Sequence, residues 1–260
     1  IQNDINSDYA KNIIPFILAA FNNAEISDPN LQNSLSLLKA WDFKMDKDLQ
    51  APSIYLTFYQ NLMKNIFMNE LGESLYNQYI FIANVPYRVI RKMLEENSSA
   101  WFDDVTTSEI EYRDLIIRKS LTEALEFLES KFGTDLSKWQ WGDLHQITFK
   151  HSFNGVSPLL DKIFNIGPFR IGGDGTTVNN TEYSFTEPYE VNLGASMRYV
   201  FDFAAPDSIY YILPTGQSGN PFSQHYKDMT EKWLNGEYLI LNTNDNFIKS
   251  NYVYKITLTP

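Results

Sequence analysis

Residues 213–233 read LPTGQSGNPFSQHYKDMTEKW, and here the end of the chain passes from strand to helix. Pro214-Thr215-Gly216 interrupts the extended run before it, and Gly219-Asn220-Pro221 adds a second turn. The Ser223 hydroxyl is placed to cap a helix over 223–235. On that helix Tyr226, Met229, Trp233 and Leu234 fall at three- and four-residue spacing, one apolar stripe. Such a corner needs a hydrogen-bonded frame, for which Gln217, Ser218, Ser223 and His225 are the candidates.

Upstream of the corner the pattern divides near residue 135. Residues 1–135 read as helices. Tyr9, Ile13, Ile14, Phe16, Ile17, Leu18 and Phe21 form one broad apolar face, with Pro15 expected to kink it near Asn12. Asp28-Pro29 is a start signal for a second helix faced by Leu31, Leu35, Leu37 and Leu38. A long helix over 52–70 stops at Gly72, and shorter ones follow over 75–83 and 87–95. Thr106 and Glu109 have capping-box spacing, predicting a helix from there to Lys131 that ends at Gly133. From 136 to 260 the period shortens to two and Gly and Pro recur. Strands are expected over 144–150, 169–171, 196–203, 209–213, 238–241 and 252–259, with a short helix capped by Thr243 before the last. A helical first half and a strand-rich second half make an α+β chain.

Composition narrows the function. The 260 residues carry 21 Lys and Arg against 32 Asp and Glu, a net charge of −11. That surface repels phosphate backbones, which argues against a nucleic-acid partner. The longest apolar run, 13–21, is too short for a bilayer and contains Pro15, so no membrane span is expected. Without cysteine, disulfides and thiolate chemistry are excluded. The chain starts at Ile1 inside what looks like a helix, which suggests a processed or truncated product. Its 16 Tyr, 18 Phe and 5 Trp suit a well-filled core or an aromatic platform for glycans.

Candidate chemistry meets a blander reading at each place. His145 and His151, with Asp143 or Asp174, could ligate a metal. Six strand residues separate the imidazoles by about 20 Å, however, so two structural histidines are the better reading. Ser218, His225 and Asp228 or Asp207 make a triad on paper. Yet the nucleophile elbow needs Gly two residues after the serine, and Asn220 stands there. The glycine-rich run Gly172-Gly173-Asp174-Gly175-Thr176-Thr177 lacks the Lys of a phosphate loop and the carboxylates of a calcium loop. What it keeps is a backbone able to approach something closely. The pairs Asp103-Asp104 and Glu95-Glu96 read as solvated surface.

Several stretches together resemble the penicillin acylase (penicillin amidase) family of N-terminal-nucleophile hydrolases. They are Ile1-Gln2-Asn3-Asp4 with Tyr9-Ala10, Leu37-Leu38-Lys39-Ala40-Trp41-Asp42, and Trp139-Gln140-Trp141-Gly142-Asp143-Leu144-His145. Next come Gly172-Gly173-Asp174-Gly175-Thr176-Thr177-Val178-Asn179 and Ser196-Met197-Arg198-Tyr199-Val200. Last are Gly216-Gln217-Ser218-Gly219-Asn220-Pro221, His225-Tyr226 and Trp233-Leu234-Asn235-Gly236-Glu237-Tyr238. The resemblance implies a precursor that cuts itself into an α chain and a longer β chain, whose N-terminal serine is nucleophile and, through its amine, base. It implies a four-layer αββα sandwich, amide hydrolysis of an N-acyl compound, and a periplasmic or secreted location. By motif order this chain looks like the C-terminal part of the β chain, inert without the upstream segments; the alternatives are a non-catalytic relative that lost the serine and a free-standing binding module. Its partners would be the rest of the β chain, the α chain and a small-molecule amide. The nucleophile, the oxyanion asparagine and any calcium ligands would lie upstream, leaving no catalytic residue and no cofactor here. The 172–179 loop looks like the family segment close to the active centre. Asp174, Thr176, Thr177 and Asn179 are therefore the expected substrate-side or supporting contacts.

Overall fold

The computed structural model describes residues 1–81 and 84–258, and its helices precede its strands. α1 (Asp8–Ala20) starts at Ser7, whose Oγ accepts from the Ala10 N–H, and it stays helical through Pro15. α2 (Pro29–Ala40) begins as the Asp28-Pro29 signal predicts: Asp28 accepts from the Asn30 N–H and Pro29 occupies the first turn. α3 (Ala51–Ile80) is the axis of the helical core. Every residue from Ala51 to Tyr59 is buried, so its first turns have neighbours on all sides. Gly72, at φ 69° and ψ 163°, breaks α3 where the first of two helices is expected to stop. α4 (Asn84–Glu96) follows; the expected helix end at Ala83 lies outside the described residues.

The capping-box expectation at Thr106 fails. α5 (Arg113–Phe132) starts beyond Glu109, with Tyr112 at its N-cap, although it ends at Gly133 as predicted. Asp104 takes the Thr106 N–H at 3.0 Å and hydroxyl at 2.6 Å, so Thr106 donates instead of capping. Glu111 accepts from the Asp104 N–H and Asp103 from the Glu111 N–H, which closes 103–111 into a loop.

Later elements are short: α6 (Trp141–Leu144), β1 (Gln146–Phe149), α7 (Pro158–Phe164), β2 (Ile166–Arg170), β3 (Thr181–Glu182), β4 (Leu193–Gly194), β5 (Arg198–Phe201) and β6 (Ser208–Ile212). α8 (Thr230–Leu234), β7 (Leu239–Asn242) and α9 (Asp245–Asn251) complete them. Among the described residues the strands form three small sheets: β1 with β2, β3 with β4, and antiparallel β5-β6-β7. The class is mixed α+β, as the sequence indicates.

Three sequence expectations for this half are corrected. The helix over 223–235 shrinks to α8, because the Ser223 Oγ accepts from His225 N–H two residues on and closes a turn instead of capping a helix. α9 is capped by Asn244, which accepts from the Asn246 and Phe247 N–H groups, while Thr243 donates to the Pro206 carbonyl. No strand forms over 252–258, where side chains such as Tyr254 and Leu258 are exposed and lack the cross-strand neighbours that reward pairing. The expected strand end at Thr259 lies outside the described residues.

Two compact units result. The first takes Ile1, Asn3–Thr148 and Gly167–Gly194; the second takes Gln2, Phe149–Ile166 and Ala195–Pro260. The change of period at residue 135 is not a boundary between them. Trp139, Trp141, Leu144, Tyr183, Phe185 and Tyr189 join the helical core, and that burial binds residues 139–148 and 167–189 to the first unit. The second unit gathers Ile209, Ile212, Tyr226, Met229 and Trp233 as buried apolar residues around its sheet and corner.

Candidate functional site

In the first unit the 172–181 loop is held by its own backbone and short hydroxyl side chains and by bonds to Asp4, Ser7, Met45 and Trp141. β2 delivers it. Arg170, near the end of that strand, lies 3.0 Å from Asp143 and 3.2 Å from Asp48, and donates to Gln140 Oε1. Gly173 N–H donates to the Met45 carbonyl at 2.7 Å, and Trp141 Nε1 donates to the Gly173 carbonyl at 3.0 Å. Gly173 has φ +92°, and a Cβ there would stand 2.7 Å from both the Asn179 carbonyl and Thr181 Oγ1. Only glycine meets both conditions.

Asp174 is the centre of the loop and is buried to 1% exposure. Its Oδ1 accepts the Thr176 N–H and hydroxyl, each at 2.7 Å. Thr177 Oγ1 accepts from the Asp174 N–H and donates towards the Asn179 carbonyl. Thr176 Oγ1 meets the Oγ of Ser7, the α1 cap, at 2.9 Å, and the Asn179 N–H donates to the Asp4 carbonyl. Burial pushes the Asp174 carboxyl up from its ordinary range, against the lowering effect of the threonine hydrogen bonds. All four residues singled out in the sequence thus lie in one loop. Asp174 and Thr177 are buried within it, Thr176 is half-buried, and Val178 beside them is exposed.

His145 stands behind this loop and is fully buried. Its Nδ1 donates to the Tyr189 carbonyl at 2.8 Å, a tautomer that leaves Nε2 an acceptor facing Thr181 Oγ1 at 3.1 Å. The ring stacks on Trp141 with centroids 4.4 Å apart. Burial drives its pKa down to about 3, so the imidazole is neutral. His151 belongs to the second unit, where its Nδ1 accepts from the Phe153 N–H. Both histidines are structural. Thr181 escaped the sequence reading because it lies four residues past the glycine-rich run, yet its Oγ1 stands between two acceptors, His145 Nε2 at 3.1 Å and the Gly172 carbonyl at 3.0 Å, and its one proton serves one of them at a time. Its only sequence signal is the alternation that begins there.

In the second unit the corner is built differently from a triad. His225 Nδ1 pairs with Asp228 Oδ2 at 2.8 Å, but its Nε2 faces the Gln224 amide at 3.1 Å. Ser218 Oγ accepts from the Asn220 N–H, and the Ser218 N–H donates to the His225 carbonyl. The serine is a turn-former, not a nucleophile held by an imidazole. Gly216 makes the corner tight, since a Cβ there would lie 1.9 Å from the His225 carbonyl oxygen. Gln217 is exposed. Under the corner, Arg198 stacks 4.4 Å over the Trp233 ring and donates to the Trp233 carbonyl at 2.7 Å.

Trp41, Trp139 and Trp141 are 7%, 0% and 0% exposed, which removes them as a glycan-stacking platform. Among the described residues no helix is long and apolar enough to cross a membrane.

Comparison with known proteins places this arrangement. Acyl-homoserine lactone acylase QuiP of Pseudomonas fluorescens (strain Pf0-1) is 33% identical over 228 residues, covering 86% of this chain and 27% of that protein. QuiP of Pseudomonas aeruginosa is 29% identical over 239 residues, covering 86% and 28%. Penicillin acylase 2 proenzyme of Pseudomonas sp. (strain SE83) is 29% identical over 196 residues, covering 75% and 24%. The chain thus spans between 24% and 28% of the length of these relatives. Its fold is similar to that of a thermostable penicillin G acylase from Alcaligenes faecalis, with a TM-score of 0.57 at 16% identity over 99% of this chain and 47% of that one. The penicillin amidase family profile matches residues 1–250, and with that match the chain belongs to the penicillin amidase family.

Proposed function

We propose that this chain is the C-terminal part of the β chain of an amidohydrolase that hydrolyses N-acyl amides, acyl-homoserine lactones or β-lactam side chains among them. The observation that carries the reading is that the relatives matched along most of the chain are named acylases of these two kinds. In this reading a serine at the start of the β chain attacks the amide carbonyl while its α-amino group takes the hydroxyl proton. The amine product leaves, and water then hydrolyses the acyl-enzyme. A precursor that cuts itself, exported to the periplasm or beyond, supplies that serine together with the oxyanion donors. No residue of this chain enters a bond-making step.

What this chain contributes is support. The 172–179 loop, with Asp174, Thr176, Thr177 and Asn179, forms one rigid wall near the active centre, and the corner of Gln217, Ser218, Ser223 and His225 holds the end of the fold. Any calcium in the complete enzyme would, in this reading, be held by residues of the upstream segments. The apolar sheet side chains Val200, Tyr210 and Ile240 are aligned by register and exposed, which suits a sheet covered by further chain.

The test is release of homoserine lactone from N-acyl-homoserine lactones, and of the β-lactam nucleus from penicillins, by the full-length protein and by the 260-residue chain. The full-length protein is expected to turn over one class or both, and the short chain neither. Turnover by the short chain overturns the reading, as does a correctly processed full-length protein inert to both. Replacement of Asp174 and Thr177 with unchanged kcat/KM would remove the loop from the active centre.

A further inference from the structure

The chain holds two Asn-Gly pairs, Asn154-Gly155 and Asn235-Gly236. In such a pair the glycine nitrogen can bond to the side-chain carbon Cγ of the asparagine, closing a five-membered ring. Glycine hinders that closure least, since it brings no side chain and few backbone restrictions.

The two pairs differ in what holds them. Asn154-Gly155 lies in the exposed turn between β1 and α7. Asp161, in the first turn of α7, and Asn165, at its C-cap, are four residues apart and so share a face. Both meet the pair. Asp161 Oδ1 accepts the Gly155 N–H at 2.7 Å, and Asn165 Nδ2 donates to Asn154 Oδ1 at 2.7 Å. The direction of the second bond is fixed by a third. Asn165 Oδ1 accepts the His151 N–H at 3.0 Å, which leaves Nδ2 to face Asn154, and only an oxygen accepts it there. A carboxylate thus holds the proton of the attacking nitrogen, and an amide donor holds the carbonyl oxygen under attack. These are the places of a general base and an oxyanion donor. Nothing stands within 4 Å of where a Gly155 Cβ would lie, and the turn is exposed, so the ring has room to close and water reaches it. At the other pair the Gly236 N–H donates to the Trp233 carbonyl at 3.2 Å, and a neutral carbonyl does not take up a proton.

We propose that Asn154 is a self-modifying residue, converted through a cyclic imide to aspartate and isoaspartate with the help of Asp161 and Asn165. The Gly155 nitrogen gives its proton to Asp161 and bonds to Asn154 Cγ, while Asn165 holds the oxygen that becomes negative. That oxygen re-forms a carbonyl as the Cγ–Nδ2 bond breaks. The leaving nitrogen takes the proton from Asp161 and departs as ammonia. Water then opens the imide. Attack at Cγ gives aspartate, and attack at the main-chain carbonyl gives isoaspartate. Either product adds a negative charge to a turn already bonded to Asp161. Isoaspartate also lengthens the main chain inside that turn, whose Asn154 and Val156 N–H groups bond the His151 and Phe153 carbonyls, so the turn loosens as the protein ages.

The test follows both pairs by peptide mass mapping with isoaspartate detection, in protein aged at neutral pH either folded or in denaturant. In the folded protein Asn154 is expected to convert at least about ten-fold faster than Asn235, a modest share of what a positioned base supplies. In denaturant that difference disappears. Asp161→Asn slows conversion at Asn154 by about ten-fold or more and leaves Asn235 unchanged. Asn165→Asp, which keeps the acceptor for His151 and loses the donor, slows Asn154 as well. The comparison of folded with denatured wild-type protein carries the test if a variant does not fold. Equal rates at the two pairs in the folded protein overturn the proposal, as do slower conversion of Asn154 folded than denatured, or a wild-type rate in folded Asp161→Asn.

Discussion

Gly173→Ala is the sharpest single test of how the loop is built. Two costs fall on it. The residue sits at φ +92°, where a Cβ strains the backbone by about 1–2 kcal/mol. The new Cβ also stands 2.7 Å from the Asn179 carbonyl and from Thr181 Oγ1, and 3.1 Å from Thr177 Oγ1. The first of these is backbone held in the loop, so overpacking adds about 1–3 kcal/mol. Gly133→Ala is the control. Its φ is +83°, but nothing lies within 4 Å of its Cβ, so it carries the backbone cost alone. Urea unfolding, followed by tryptophan fluorescence, reads both. Trp141 bonds the Gly173 carbonyl and reports on the loop directly. Gly173→Ala is expected to lose about 2–5 kcal/mol, at least about 1 kcal/mol more than Gly133→Ala. Equal losses would refute the claim that the loop is closed by backbone contact at Gly173.

Further outcomes follow from the same structure. His145 titrates near pH 3 in the folded chain against about 6.5 when unfolded. The unfolded state binds the extra proton, so stability is lost as pH falls from about 6.5 towards 3, at up to about 1.4 kcal/mol per pH unit, and His145→Gln flattens that slope in pH-dependent unfolding. Ser7→Ala removes both the α1 cap and the link to Thr176 and is expected to cost about 1–2 kcal/mol in the same assay. Asn244→Ala should weaken α9 by about 1 kcal/mol while Thr243→Ala changes stability by less than about 0.5, read by amide exchange across α9; the reverse order would restore Thr243 as the cap. Trp233→Ala opens a cavity under Arg198 and should cost about 3–5 kcal/mol by thermal unfolding.

The elements legible in the sequence are those whose signals are local. Asp28-Pro29 starts α2 because a short acceptor and a residue without N–H satisfy a helix end by themselves. Gly72 and Gly133 stop helices because each takes a positive φ that other residues resist. Where a side chain had two partners to choose from, local reading failed. Thr106 has a capping pattern but lies within reach of Asp104, Ser223 closes a turn two residues on, and Asn244 outranks Thr243.

The sequence by itself determined the α+β class, the family through ordered motifs, and the loop and the corner as the places of close backbone approach. Only the tertiary structure decided what those places are made of. It gave the His225 imidazole to Asp228 and Gln224 instead of Ser218, and it buried His145 against Trp141. Pairings across more than a hundred residues, such as Ser7 with Thr176, leave no periodic trace in a chain. They arise when the first turns of α3 are buried on every side and the segments around them must satisfy their polar atoms against whatever the packing brings near.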